Sequence, residues 1–303
     1  MTQYFVKKLS LAAVLTFVAA APYTASAVII SGGFGDSAPL NETAPADDPG
    51  WAHVGRMGTM SSDNATGVYL GNGWALTANH VGGKGSIMLG GSQYNALGGT
   101  GQQLLNPDGT LTDLYIFKLN IPVTDPIASL PVLEIADTTP TSGTDGIFIG
   151  TGYTQNSATP DLAFGSVIEN GFNVSTTERA KKWSPTEVTN SPTLSDVPLN
   201  LQHLFFTQFS VLEPSGQAAN KDSGSSIFVK NNDDEWVLAG LAHFILGEEG
   251  QPNNTAVHNN LTAWSDLSVY RDQIYNIIPE PGSIALLAAT LVPLLTTRQR
   301  RRA

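Results

Sequence analysis

Three short stretches of this chain carry side chains that could do chemistry together. Asn220–Phe228 reads Asn-Lys-Asp-Ser-Gly-Ser-Ser-Ile-Phe, and its centre, Asp222-Ser223-Gly224, joins a turn-prone entry to an apolar exit. A serine hydroxyl is a weak nucleophile, so Ser223 needs a neighbouring base, and that base needs an orienting group. Gly73–Val81 (Gly-Trp-Ala-Leu-Thr-Ala-Asn-His-Val) supplies a histidine, His80, behind an apolar run. Thr112–Leu119 (Thr-Asp-Leu-Tyr-Ile-Phe-Lys-Leu) supplies an aspartate, Asp113. Together they are the set that acyl transfer through a covalent serine intermediate requires. Asp-Ser-Gly alone is a common turn sequence. Three such fragments in the order His80, Asp113, Ser223 are much harder to obtain by accident.

Each candidate must be held by a strand. Trp74–Thr77 leads into His80, Asp113 opens the alternating Leu114–Leu119, and Ser223 lies on a tight loop before Ile227-Phe228-Val229. Further strands are expected at His53–Met57, Thr66–Leu70, Ser86–Leu89, Gly146–Gly152, Leu204–Leu212 and Trp236–Phe244. Short strands with close turn signals, 30 glycines, 18 prolines and only 14% charged residues point to antiparallel barrels rather than long helices. Pro122, Pro126, Pro131 and Pro140 mark a crossover between two barrels, and the polar residues 155–200 read as surface loops. Ser265–Ile278 has helical spacing, with Ser265 as N-cap and Asp266 in the first turn.

Composition removes several functions. A net charge of −11 argues against a nucleic-acid partner, because phosphate binding needs clustered cations. The absence of cysteine excludes disulfides, thiolate metal sites and a cysteine nucleophile. Five histidines stand in no metal-ligand spacing, so neither a metal nor a cofactor is expected.

These residues resemble the chymotrypsin/trypsin-like serine protease family. The family's Thr-Ala-Ala-His appears as Thr77-Ala78-Asn79-His80, its Asp-Ile/Leu-x-Leu-x-x-Leu as Asp113–Leu119, and its Gly-Asp-Ser-Gly-Gly as Lys221–Ser225. The order of the three is also the chymotrypsin order. The resemblance implies an all-β fold of two antiparallel six-stranded β-barrels, residues 51–130 and 131–278, closed by a C-terminal helix. It implies a serine endopeptidase, expected as a monomer, acting on protein or peptide substrates. His80 is then general base and general acid, Asp113 orients it, and Ser223 attacks the carbonyl. The backbone N–H groups of Lys221 and Ser223 form the oxyanion hole, and Asp222 supports the loop through an ion pair. Gln217, six residues before Ser223, stands where trypsin-like enzymes carry aspartate, so Lys/Arg specificity is not expected. His243 lies in the stretch that resembles the wall of the primary specificity pocket. It could meet an acidic side chain there, as in some glutamate-specific relatives, or hydrogen-bond within the barrel wall.

Lys221 departs from the family's glycine. A side chain is poorly tolerated in the backbone arrangement that points this N–H into the hole. The expected outcome is a turned-over Asn220–Lys221 peptide and a slow enzyme. The alternative is a catalytically weakened or inactive protease-fold surface or matrix binding protein, and a third reading is an esterase using the same triad.

Both ends read as addresses. Residues 1–27 have the basic, apolar and Ala-x-Ala parts of a signal peptide, with Lys7, Lys8, Leu9–Ala21 and Ala25-Ser26-Ala27. Residues 28–50 are expected as a linker; by the resemblance, a freed Val28-Ile29-Ile30 start could instead insert beside Asp222. At the other end, Pro279-Glu280-Pro281, the apolar run Ile284–Leu295 and an arginine cluster ending at Arg302 resemble the PEP-CTERM sorting signal, residues 279–303. That resemblance implies transient membrane anchoring, processing by an exosortase, and delivery to the cell surface or extracellular matrix of a Gram-negative bacterium.

Overall fold

A computed structural model describes residues 2–6, 26–32, 41–59, 62–82, 84–164, 167–190 and 203–278. Three short strands come first: β1 (Thr2–Val6), β2 (Ser26–Ala27) and β3 (Ile29–Gly32). The next seven are β4 (Val54–Thr59), β5 (Ser62–Gly71), β6 (Trp74–Ala78), β7 (Ser86–Leu89), β8 (Ser92–Asn95), β9 (Gln102–Leu105) and β10 (Leu111–Lys118). After a crossover come β11 (Asp145–Gly150), β12 (Tyr153–Phe164), β13 (Val167–Arg179), β14 (Lys182–Thr189) and β15 (Leu204–Gln208). The chain then runs through β16 (Pro214–Gln217), β17 (Ser226–Lys230), β18 (Trp236–Glu248), β19 (Thr255–Val257) and β20 (Leu261–Asp266). A 3₁₀ turn, Leu267–Tyr270, leads into the short helix α1 (Arg271–Ile277).

The architecture is all-β and chymotrypsin-like. The second unit is a closed barrel of six strands in the order β18-β17-β11-β14-β15-β20, because β18 also pairs with β20. The first unit is a sheet of seven strands, β8-β7-β4-β5-β6-β10-β9, rather than the expected six, and no ladder joins β8 to β9 among the described residues. The strands β5, β6 and β10 carry apolar side chains on both faces because both faces are covered there. Ala75, Ala78 and Phe117 pack inward with Met57, Tyr69 and Ile87. From the opposite face Leu76, Leu114 and Ile116 meet Ile149, Phe228, Leu238 and Leu241 of the second barrel. Leu267, Tyr270 and Ile274 extend this inter-unit core. Each such side chain contributes roughly 1.5–3 kcal/mol on burial, so this layer is what docks the two units.

Several expectations are corrected. Residues 155–200 are not simply loops: β12 and β13 form a long hairpin flanked by β2 and β19, followed by β14. This ribbon lacks apolar alternation, the signal by which a strand is read from sequence. Ser265 ends up inside β20, and the cap falls to Asp266, whose carboxylate accepts from Ser268 N. Part of the expected linker is structural: Val28, Ile29 and Ile30 are fully buried, and β3 pairs with β16. Thr2–Val6, inside the expected leader, lies parallel to Phe244–Glu248 of β18. Among the described residues no helix is long and apolar enough to cross a membrane. The run Ile284–Leu295 and the rest of the sorting signal lie outside the described residues.

Candidate active site

The site lies where the two units meet. His80 follows the end of β6, and its loop is tied to β10 by Asn79 N donating to Asp113 O at 2.9 Å. Asp113 sits within β10, buried. Ser223 comes from the second barrel, on the loop between β16 and β17. That loop is fastened to β18 by Gly224 N donating to Ala242 O (2.8 Å) and Ala242 N donating to Ser225 O (2.9 Å). Gly224 has φ +83°, and a Cβ there would stand 2.2 Å from Thr66 O, so only glycine lets the loop press this close to β5.

The three side chains meet in a line. His80 Nδ1 is 2.6 Å from Asp113 Oδ2, and His80 Nε2 is 2.9 Å from Ser223 Oγ. His80 N also donates to Asp113 Oδ1 at 2.8 Å, which fixes the carboxylate plane. An ionised carboxylate only accepts, so the ring proton belongs on Nδ1 and the Nε2 lone pair faces the serine hydroxyl. The His80 side chain is 38% exposed and that of Asp113 5%, so the base is open to a substrate while its partner is not.

Asp113 has a second imidazole. His243, expected either to line a pocket or to hydrogen-bond within the barrel wall, is 1% exposed, and its Nδ1 lies 2.9 Å from the same Oδ2. Burial pushes the Asp113 carboxyl up, but hydrogen bonds from His243 and His80 outweigh it and hold the group well below the usual carboxylate range. Burial pushes His243 down, against the pull of Asp113, so its ring stays neutral and its buried Nε2 has no partner among the described residues. His80, Asp113 and His243 bring three ligand-type atoms within 4.8 Å of one another. Both Nδ1 atoms, however, face one oxygen at hydrogen-bond distance, the geometry of two N–H donors on one acceptor.

Lys221 adopts the left-handed conformation, φ +78°, so the expected turned-over peptide is not what the structure has. Asn220 O accepts from Tyr153 N at 2.8 Å. In a trans peptide C=O and N–H point opposite ways, so Lys221 N–H faces away from Tyr153. Neither Lys221 N nor Ser223 N donates to any acceptor among the described residues, which leaves two N–H groups for an oxyanion.

Asp222 does not form the expected ion pair with any described residue. Its Oδ1 accepts from Gly152 N (2.7 Å) and Ser225 Oγ (3.1 Å), and its Oδ2 from Ala219 N (2.9 Å). Gly150 and Gly152 leave room for it, since a Cβ at either would come within 2.4 Å of the carboxyl. Complete burial pushes Asp222 up to about 6, against the pull of those donors and of the Arg179 charge. Gln217 lies at the end of β16 opposite Ile29, buried, with Oε1 unpartnered among the described residues.

Sequence reading missed the bond from His243 to Asp113 and the part played by Thr66 and Thr151. Thr66 N donates to Ser223 O (3.0 Å), and Thr66 O accepts from Thr77 Oγ1 (2.7 Å). No local signal marks a threonine inside a strand as a partner of residues more than 150 positions away.

A serine, a histidine and an aspartate in hydrogen-bonded series, astride two β units, define a serine-hydrolase site on a chymotrypsin-like fold. The sequence matches the family described as Trypsin over residues 41–267, and the chain belongs to that family. No curated protein matches it. Among solved structures, a mutant of human heparin binding protein is 17% identical, covers 80% of this chain and 96% of its own, and superposes with a TM-score of 0.52. Mouse neuropsin, a serine protease, is 13% identical over 79% of this chain and 98% of its own, with a TM-score of 0.49. The first of these shows the same fold.

Proposed function

We propose that this protein is an exported serine endopeptidase. The observation that carries the reading is the unbroken series Asp113 Oδ2, His80, Ser223 Oγ, at 2.6 and 2.9 Å, beside two undirected N–H groups. His80 Nε2 takes the Ser223 proton as Oγ bonds to the peptide carbonyl carbon, and the carbonyl π electrons move to the oxygen. Lys221 N–H and Ser223 N–H receive that oxyanion. The imidazolium, stabilised by Asp113, then returns its proton to the leaving amine. Water repeats the sequence on the acyl-enzyme and frees the acid.

An extended polypeptide suits the neighbouring edge. Phe244–Glu248 follows His243 directly and already pairs with another extended segment, Thr2–Val6. A sheet edge that accepts one added strand can receive an extended peptide in the same way. The alternative of a disabled protease scaffold rests on Lys221 and Ser225, which depart from the family motif, and on the sorting tail; the left-handed Lys221, whose N–H faces away from Tyr153, favours the enzyme on the first of these grounds. The leader and tail motifs support export, transient anchoring, exosortase processing near residue 280, and residence at the cell surface.

The test is labelling of Ser223 by a fluorophosphonate, together with casein hydrolysis. Ser223→Ala and His80→Ala should each remove nearly all turnover, since triad members act as one unit. Turnover that survives both changes refutes the assignment. Intact mass of protein from the native surface should show the loss of residues beyond about 280; a chain retaining Arg300–Arg302 refutes the sorting reading.

A further inference from the structure

We propose that Thr66 is a positioning residue whose hydroxyl holds the non-glycine oxyanion loop in its working conformation, an inference that rests on the function proposed above. Lys221 is a side-chain-bearing residue at φ +78°, a region that all but glycine tend to leave. Two hydrogen bonds clamp the peptides on either side of it. Before it, Asn220 O accepts from Tyr153 N. After it, Lys221 O accepts from Thr66 Oγ1 at 3.1 Å. With both flanking carbonyls fixed, the φ and ψ of Lys221 have nowhere to go.

The direction of the Thr66 proton follows from its neighbours. A hydroxyl has one proton to give. Arg179 donates to Thr151 Oγ1 (3.3 Å), Thr151 Oγ1 lies 2.7 Å from Thr66 Oγ1, and Thr151 N donates to Thr66 Oγ1 (3.3 Å). With Thr151 supplying the proton between the two hydroxyls, the one on Thr66 is left for Lys221 O. A guanidinium at the head of this chain strengthens each donor after it. The same residue grips the nucleophile's own peptide, through Thr66 N to Ser223 O at 3.0 Å. Thr66 belongs to β5 of the first sheet and its partners to the second barrel, so the loop's shape depends on the docking of the two.

Without the hydroxyl, Lys221 can relax to negative φ by rotating the Asn220–Lys221 peptide. That rotation breaks the bond to Tyr153 N and withdraws one N–H from the hole. Loss of one such donor lowers kcat by about 100- to 1000-fold. Glycine enters positive φ about as readily as negative, so a glycine at this position needs no clamp. The hydroxyl of Thr66 and the side chain of Lys221 are therefore coupled.

The experiment compares wild type, Thr66→Val, Thr66→Ala, Thr66→Ser, Lys221→Gly and the double variant Thr66→Val/Lys221→Gly. Expected are a kcat loss of about 100-fold in Thr66→Val with KM little changed, near-normal rates in Thr66→Ser, and recovery in the double variant. Thr66→Ala reports the same loss should the valine methyl disturb folding. Exchange of the Tyr153 amide gives a readout independent of turnover: fast in Thr66→Val, protected in the other folded variants that keep the hydroxyl or carry Lys221→Gly. A wild type that fluorophosphonate does not label counts against the function, while the Tyr153 amide still decides on Thr66. Unchanged kcat and Tyr153 protection in Thr66→Val and Thr66→Ala overturn the inference, as does a double variant no better than Thr66→Val.

Discussion

Replacing Asp222 by asparagine, in a Ser223→Ala background to prevent self-digestion, tests how a buried carboxylate lives without a cation. Burial carries the group from its ordinary 3.8 to about 6, a rise near 2. At about 1.4 kcal/mol per unit this amounts to about 3 kcal/mol between the protonated and ionised forms. The folded carboxyl holds its proton more tightly than the unfolded one. Its stabilising contribution is therefore full below pH 4 and is lost as pH rises through 6. Asparagine does not titrate; its oxygen can keep Gly152 N and Ser225 Oγ, but its amide then faces Ala219 N, donor against donor. Such an unsatisfied pair costs about 1–3 kcal/mol at any pH. The variant should thus be clearly less stable than its parent at pH 4 and about equal to it at pH 7.5. Urea midpoints at both pH values measure the swing, expected near 3 kcal/mol. Contributions from His243, which run the opposite way with pH, are common to both proteins and cancel. A difference that is flat with pH, or that grows towards pH 7.5, would show that a cation meets Asp222 and refute the reasoning.

Three further outcomes follow from the site. His243→Leu removes one of the two imidazole donors to Asp113; a hydrogen bond to a charged group is worth about 1.5–3 kcal/mol, so kcat should fall about tenfold or more with KM little changed, and an unchanged kcat would make His243 a bystander. Lys221→Gly relieves the left-handed strain of about 1–2 kcal/mol, less the glycine entropy of about 0.5–1. It should raise stability slightly and leave kcat within a few-fold; a tenfold gain in kcat would mean that the wild-type hole is misformed in solution. Gly152→Ala drives a Cβ to 2.4 Å from the Asp222 carboxyl and should cost about 1–3 kcal/mol by thermal melting, whereas a neutral result would show that the carboxyl can move aside.

Much of this was legible in the chain, for identifiable reasons. Strands such as Trp74–Ala78 and Trp236–Glu248 announce themselves because they are buried and apolar. The triad positions stand out because a nucleophile, a base and an acid recur in fixed order beside apolar strands, although Asp113 lies inside β10 rather than opening it. What stayed hidden depends on contacts far apart in sequence. His243 reads the same whether it lines a pocket or grips Asp113, 130 positions away. The conformation of Lys221 could not be read because the residue's intrinsic preference and its surroundings disagree, and the surroundings, Tyr153 N and Thr66 Oγ1, prevail. The hairpin β12–β13 escaped because its polar strands lack the apolar alternation that marks a half-buried sheet.

His80 and Asp113 belong to one unit, Ser223 and His243 to the other, and no covalent cross-link joins them, since the chain has no cysteine. Turnover in this molecule is therefore a gauge of how well two halves stay seated. A parting of about 1 Å across the Leu76–Phe228 layer would leave every strand intact yet separate His80 Nε2 from the Ser223 hydroxyl, and a misplacement of that size can cost about 100-fold in rate. Heat or mild denaturant should silence the protein while its β-sheet signal is still whole, and on cooling its return should follow the slow re-seating of the halves rather than their folding.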